Sequence, residues 1–411
     1  MNKKFINVTI NLFKASLLVI FSLLIFQGCK KEEPNILIHP VNNYNVDSVY
    51  TITNIPLTDN IIKFKAVLNK KYAGLIKLAR FEYSTSSYFN EKDSVCFSHE
   101  KLDNLDSIGF TTKPRFFNET LFVRLLITDN NYNVTQSKTI TVKTCPFPTL
   151  TGSKFVLGYN DSLFTIEMDG SNRRYLGRAK NISRNGKVIQ IGRGGLQNLD
   201  TYNVIRRESS KVFESILDFS NTGSIVVWLD FSRYNTFKGL NNGIEMPYIN
   251  NLPIGFCEEI RLSPDETKLI CSSSTETIII DMTTKISTYI GFGGGTLSKD
   301  NLKMVASSGL AYPENQTSYT FAGSLIIFDP IDDGISKTAK TLIKYNSQVQ
   351  TQRFLTFNPI FSDDESIVYF LDEDHDIYSI PTAGGNPTKL TNQPVKFSLE
   401  RNGWLFKLVN F

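Results

Sequence analysis

Four carboxylates and one imidazole fall in five consecutive residues, Asp372-Glu373-Asp374-His375-Asp376. Oxygen donors at this density suit a hard cation such as Ca²⁺, which takes 6–8 oxygen ligands, and Asp372, Asp374 and Asp376 are the candidate ligands. The plainer reading is a solvated turn between strands, where polar residues are the default. Nucleophilic chemistry finds less to work with. A Ser-His-acid triad needs a histidine beside its nucleophile, but the chain holds only His39, His99 and His375, far apart in sequence, and no G-x-S-x-G elbow occurs. The same scatter, with no C-x-x-C, argues against zinc. Gly293-Gly294-Gly295 lacks the lysine of a phosphate loop and reads as a flexible connection, as Arg193-Gly194-Gly195 reads as a turn. Tyr312, Tyr319 and Phe321 offer a platform for a sugar or peptide, against which stands ordinary packing beneath a long loop. The expectation is a chain without cofactor that is not an enzyme.

The N-terminus speaks to compartment. Lys3, Lys4 and Lys14 precede an uncharged, largely apolar run from Ala15 to Phe26, and Gln27-Gly28-Cys29 follows before Lys30, Lys31, Glu32 and Glu33. This is a signal-peptide pattern, and the run is shorter than the ~20 apolar residues that a spanning helix needs. The segment resembles the bacterial lipoprotein signal, with Phe26-Gln27 where that signal places Leu and a small residue. The resemblance implies removal of residues 1–28, diacylation of Cys29 as the new N-terminus, and a tether over 29–34. Several acyl chains anchor durably where one does not, so the expected location is the cell envelope, on a membrane and by expectation the outer one. Removing the three signal lysines from a formal charge of +4 leaves +1, which excludes a basic footprint for nucleic acid. Cys96, Cys145, Cys257 and Cys271 make an even number in an oxidising compartment, so one or two disulfides are allowed, most simply within each half.

The elements that would position such residues are strands. From 35 to 145, period-two alternation runs through Ile61–Leu68, Leu75–Ser84, Ser94–Ser98, Ser107–Thr111, Thr120–Thr128 and Gln136–Val142, separated by turns such as Thr58-Asp59-Asn60. That pattern predicts a β-sandwich. Leu121 to Asn131 followed by Ser137 to Val142, with Glu82-Tyr83-Ser84, resembles the last hairpin of fibronectin type III and immunoglobulin-like modules, which implies a spacer or binding role. Pro146-Phe147-Pro148 reads as a stiff linker.

The remainder, 149–411, repeats itself. An apolar residue and a serine recur at Ile182-Ser183, Phe219-Ser220, Leu262-Ser263, Leu297-Ser298, Phe361-Ser362 and Phe397-Ser398, each followed by a polar turn and a β-run. Gaps between the serines of 37, 43, 35, 64 and 36 residues approach the ~40–50-residue period of propeller blades. Phe357 to Asp364, Ile367 to Phe370, Asp376 to Pro381 and Gly384 to Thr391 resemble one TolB-like propeller repeat, and Leu163 to Leu176 and Leu262 to Asp265 resemble parts of others. The resemblance implies an all-β fold with a six-bladed propeller after the sandwich, and a ring closed by mixing the chain ends. The expected function is a lipid-anchored envelope scaffold that binds a protein partner. The alternative is an envelope protein that binds or processes carbohydrate in the central channel, with a glycan as partner.

Overall fold

Residues 50–56, 60–68, 75–90, 92–98, 107–159, 161–207, 214–230, 236–249, 259–272, 277–290, 295–307, 325–330, 340–343, 357–372, 376–391 and 405–411 are described by a computed structural model. Their regular structure is β throughout, apart from one 3-10 turn at Pro247–Ile249. Eight strands precede the linker: β1 Tyr50–Pro56, β2 Ile62–Leu68, β3 Ile76–Ser84, β4 Lys92–Ser98, β5 Ser107–Thr111, β6 Thr120–Asp129, β7 Val134–Gln136 and β8 Ile140–Lys143. One sheet has the order β1-β2-β5; the other runs β4-β3-β6, with both β7 and β8 on β6. Alternate residues Ile62, Phe64 and Ala66 of β2 meet Ala79, Phe81 and Tyr83 of β3 and Leu121, Val123, Leu125 and Ile127 of β6 in one buried cluster, as period two requires. Fully buried Glu82 is met by Arg124, Arg80 and Lys92 at 2.7, 3.0 and 3.1 Å. Strand β1 was not anticipated, and the expected single strand Gln136–Val142 is two pieces. Ser137 breaks it: its Oγ accepts the Leu125 amide at 2.9 Å and donates to the Lys138 carbonyl at 2.9 Å, a side chain substituting for the ladder.

The rest of the described chain forms six four-stranded antiparallel sheets. The first comprises Leu405–Asn410, Ser153–Tyr159, Ser162–Glu167 and Arg174–Gly177, joining the two ends of this region. The others begin at Asn181, Glu214, Glu259, Gly295 and Phe357 and follow in chain order. Every neighbouring pair of sheets shares one apolar core, and the sixth core, with Phe155, Leu157 and Phe406 against Ile360, Tyr369 and Leu371, returns to the first sheet. That is a closed propeller of six blades. Each blade's second strand is apolar on both faces because it serves two cores: Leu269 and Cys271 face one neighbour and Ile270 the other. A lone blade would leave one of those faces in water.

The recurring serine shapes the turn between the first and second strands of the second to sixth blades. Ser183, Ser220, Ser263, Ser298 and Ser362 each accept, through Oγ, the amide five residues on, at 2.9–3.0 Å. Ser263, Ser298 and Ser362 also donate to Asp265, Asp300 and Asp364 at 2.6 Å. Adjacent turns are joined in sequence around the ring. The Asn185 amide donates to Asn221, the Asn221 amide to Glu266, Asn301 to Asp265, the Lys299 amide to Glu365, and Asn410 to Asp363. The circle closes where the Asn410 amide donates to the Arg184 carbonyl at 2.8 Å.

Pro146-Phe147-Pro148 is not a free-standing spacer. Phe116 and Phe117, which follow β5, sit in the core between the first two blades, and Phe147 packs edge-on against Phe117 with centroids 5.1 Å apart. Two amide side chains stitch the halves. Asn60, fully buried, donates to the carbonyls of Arg115 at 2.6 Å and Arg178 at 2.9 Å and accepts the Arg178 amide at 2.8 Å. Gln197 pairs with both the amide and the carbonyl of Phe117 at 2.8 Å. Gly177 makes room: a Cβ there would stand 2.7 Å from the Phe117 ring. Asn60→Ala should destabilise the joint by about 1–3 kcal/mol, since it orphans buried partners. Faster hydrogen exchange at the Arg178 amide is the readout, and exchange unchanged from wild type would remove Asn60 from this role.

Candidate functional site

The first strands of four blades converge on one carboxylate. Asp218, 6% exposed at its side chain, accepts the Lys407 ammonium at 2.8 Å, the Leu262 amide at 2.9 Å and the Asn181 side-chain amide at 3.4 Å. Lys407 belongs to the first blade, Asn181 to the second, Asp218 to the third and Leu262 to the fourth. Only near the axis of a ring can four blades reach one group, so this pair marks the central channel. Burial alone would raise the Asp218 carboxyl, but Lys407, the Leu262 amide and Arg184 hold it below the ordinary value.

Around this pair the serine turns supply a charged rim. Arg184 follows Ser183 and lies in the field of Asp218, Glu266 and Asp363 and of the like-charged Arg261. Burial depresses its guanidinium, and the carboxylates oppose that. Glu266 moves the other way: burial raises its carboxyl, with Asp218 and Asp265 adding to the shift. Among the described residues no hydrogen bond or ion pair reaches the Arg184 guanidinium. The site therefore offers a neutralised Lys407–Asp218 pair as its base and an uncommitted planar cation at its rim. Such a cation suits a carboxylate from outside, which it can grip with two parallel bonds.

No protein-family model and no curated protein matches the chain. In solved structures it is similar to putative TolB from Agrobacterium tumefaciens, at 13% identity over 64% of this chain and 99% of that one, with a TM-score of 0.39. It is also similar to TolB from Acinetobacter baumannii, at 15% identity over 66% and 76% of the two chains, with a TM-score of 0.38. Hydrazine synthase of Kuenenia stuttgartiensis gives 14% identity, 53% and 66% coverage and a TM-score of 0.34.

The residues singled out from sequence lie elsewhere. Asp372 and Asp376 flank the hairpin between the second and third strands of the sixth blade, while Asp374 is outside the described residues. The Asp376 amide donates to Asp372 Oδ1 at 2.8 Å. Both oxygens of Asp376 are engaged, one by the Thr391 hydroxyl at 2.8 Å and the other by Lys389 Nζ at 2.5 Å. The Lys389 ammonium is raised in turn, first by its hydrogen bond to Asp376. These carboxylates hold the hairpin together, and no cluster of three metal-ligating side chains occurs among the described residues. Cys271 is disulfide-bonded, whereas Cys96 and Cys145 are thiols, so the pairing expected between them is not made. The reason is topological: Cys96 lies on β4, at one edge of its sheet, whereas Cys145 follows β8 and packs beside the core of the first two blades. Cys29, Cys257, the three histidines, Tyr312, Tyr319 and Phe321 lie outside the described residues.

Sequence reasoning passed over the axial cluster, although a signal existed. The residues two before four of the five described serines are Asn181, Asp218, Arg261 and Thr296, polar positions in otherwise largely apolar strands; before Ser362 the position is Ile360, which is core. Aligned on the serine, they form a column that points away from the inter-blade cores.

Proposed function

We propose that this chain is a non-catalytic binding protein of the cell envelope, anchored through lipidated Cys29. Its N-terminal immunoglobulin- or fibronectin-like sandwich supports the propeller, whose channel mouth engages a protein partner. The observation that carries this reading is the uncommitted Arg184 at the rim. It stands beside Arg261, Glu266 and Asp363 on a closed ring that resists deformation. A partner that presents a carboxylate there gains a charge-assisted contact without reorganising the propeller.

In-cell cross-linking followed by capture tests it, using the full-length anchored protein, an Arg184→Glu variant and a chain lacking residues 153–411. One envelope protein should be recovered in stoichiometric amount with wild type and lost with the truncation. Arg184→Glu should cut recovery at least ~10-fold at a temperature where its own melt shows it fully folded, since a fourth carboxylate beside Asp218, Glu266 and Asp363 also lowers the melting temperature. Recovery of no protein, or of the same protein without the propeller, would overturn the proposal.

A further inference from the structure

A second concavity lies away from the channel, where the linker meets the first blade. It is an open groove of about 410 Å³, lined by Thr149, Leu150 and Thr151 of the linker and by Lys154, Thr165, Glu167, Asn172, Arg173 and Arg174 of the blade. Its construction follows from strand register. Lys154 stands opposite Glu167, and Thr165 opposite both Val156 and Arg174, so these side chains share one face of the sheet. Farther along that face, Val156, Leu163 and Leu176 form core beneath Phe147 and Leu150. The apolar face thus ends in a polar pocket just where the linker crosses it.

The lining sorts by how much of it is already spoken for. Lys154 Nζ is held by both oxygens of Glu167 at 2.7 Å, which neutralises that pair. The Arg173 guanidinium lies over the Phe164 ring at 4.3 Å. Arg174 remains: no hydrogen bond or ion pair reaches it among the described residues. Two cations, Lys154 and Arg174, face one carboxylate, Arg173 being turned with Phe164 to the opposite face of the sheet, and the remaining polar lining consists of three threonine hydroxyls and the Asn172 amide. Oxyanions are matched by an uncommitted guanidinium, and ring hydroxyls by groups that donate and accept in turn. The volume falls in the range of small-molecule sites.

We propose that this pocket binds an anionic sugar, a hydroxyl-bearing ring with one carboxylate or phosphate, with Arg174 on the acid group and Thr165 and Asn172 on the ring. It is independent of the channel-mouth partner. Calorimetric titration of the mature chain at low ionic strength uses glucuronate, glucose 6-phosphate, glucose and inorganic phosphate as probes. Glucuronate or glucose 6-phosphate, or both, should bind in the millimolar range or tighter, with glucose and inorganic phosphate at least ~10-fold weaker; which of the two acids binds identifies the acid group. Arg174→Gln should weaken the acid at least ~10-fold at an unchanged melting temperature, and Thr165→Val should weaken it separately. Equal binding of glucose and the acids, inorganic phosphate as tight as glucose 6-phosphate, full affinity in Arg174→Gln, or no binding by either acid would each overturn the assignment.

Discussion

Deleting Leu405–Phe411 should unfold the propeller rather than trim it. That strand pairs with Ser153–Tyr159 from Leu405 opposite Gly158 to Asn410 opposite Ser153, so its loss opens a sheet edge in the middle of the chain's own ring. It also removes Phe406 from one inter-blade core and Val409 from the next. Losing a buried Phe costs about 3–5 kcal/mol and a buried Val about 1.5–3. Without Lys407, Asp218 becomes a buried charge with its main partner gone, worth about 3–5 more. Those losses approach the ~5–15 kcal/mol that stabilise a whole domain. Limited proteolysis should then cut throughout 153–391, while the cluster around Phe64, Phe81 and Leu125, which contains no propeller residue, keeps the first unit protected. A cooperative propeller melt within a few degrees of wild type would show that closure is dispensable.

The ring was legible in sequence because its signal is local. A serine that accepts the amide five residues ahead fixes its own turn, and five of the six serine turns fall in described residues, each placed between a first and a second strand. The charged axis was legible only in register, as polar residues two positions before four of those five serines; before Ser362 stands the core residue Ile360. The joint between the two halves left no such trace. Asn60 finds Arg178 across 118 residues, and Gln197 finds Phe117 across 80. Nothing in the neighbourhood of either amide distinguishes it from a turn residue, and Thr58-Asp59-Asn60 reads as a turn. The two prolines of the linker read as a stiff spacer, whereas the structure shows a packed one. Phe147 and Leu150, partly buried, pack against the core of the first two blades.

This joint also bears on the proposed scaffold. A propeller on a loose linker would sample many orientations above a membrane. Here Phe116 and Phe117 of the first unit are part of the same core as Ile182 and Ile189 of the second blade, so the described parts of both units share packing. A partner at the channel mouth would meet a site whose direction is set by the sandwich, which lowers the orientational cost of binding.

Lys407→Met should destabilise the propeller by about 3–5 kcal/mol at neutral pH, because it strands the Asp218 carboxylate in a site built for an ion pair. The pH dependence separates this cause from lost packing. In wild type the Asp218 carboxyl is held below its ordinary value. Its contribution is therefore fully present above the unfolded carboxylate pKa of ~3.9 and is lost as pH falls through the lower folded value. In Lys407→Met the dominant attraction is gone and burial prevails, so the folded pKa rises above the unfolded one. Stability from that group is then full below ~3.9 and lost as pH rises through the folded value. The gap between wild type and variant, read from chemical denaturation, should narrow on acidification from neutral pH towards ~4. Pairing the change with Asp218→Leu should recover most of the loss, since an apolar pair of similar volume often equals a buried ion pair. A gap that stays constant with pH, together with no recovery in the double variant, would mean that Lys407, whose Nζ lies 5.8 Å from the centre of the Phe219 ring, matters through the packing of its side chain and not through its ion pair with Asp218.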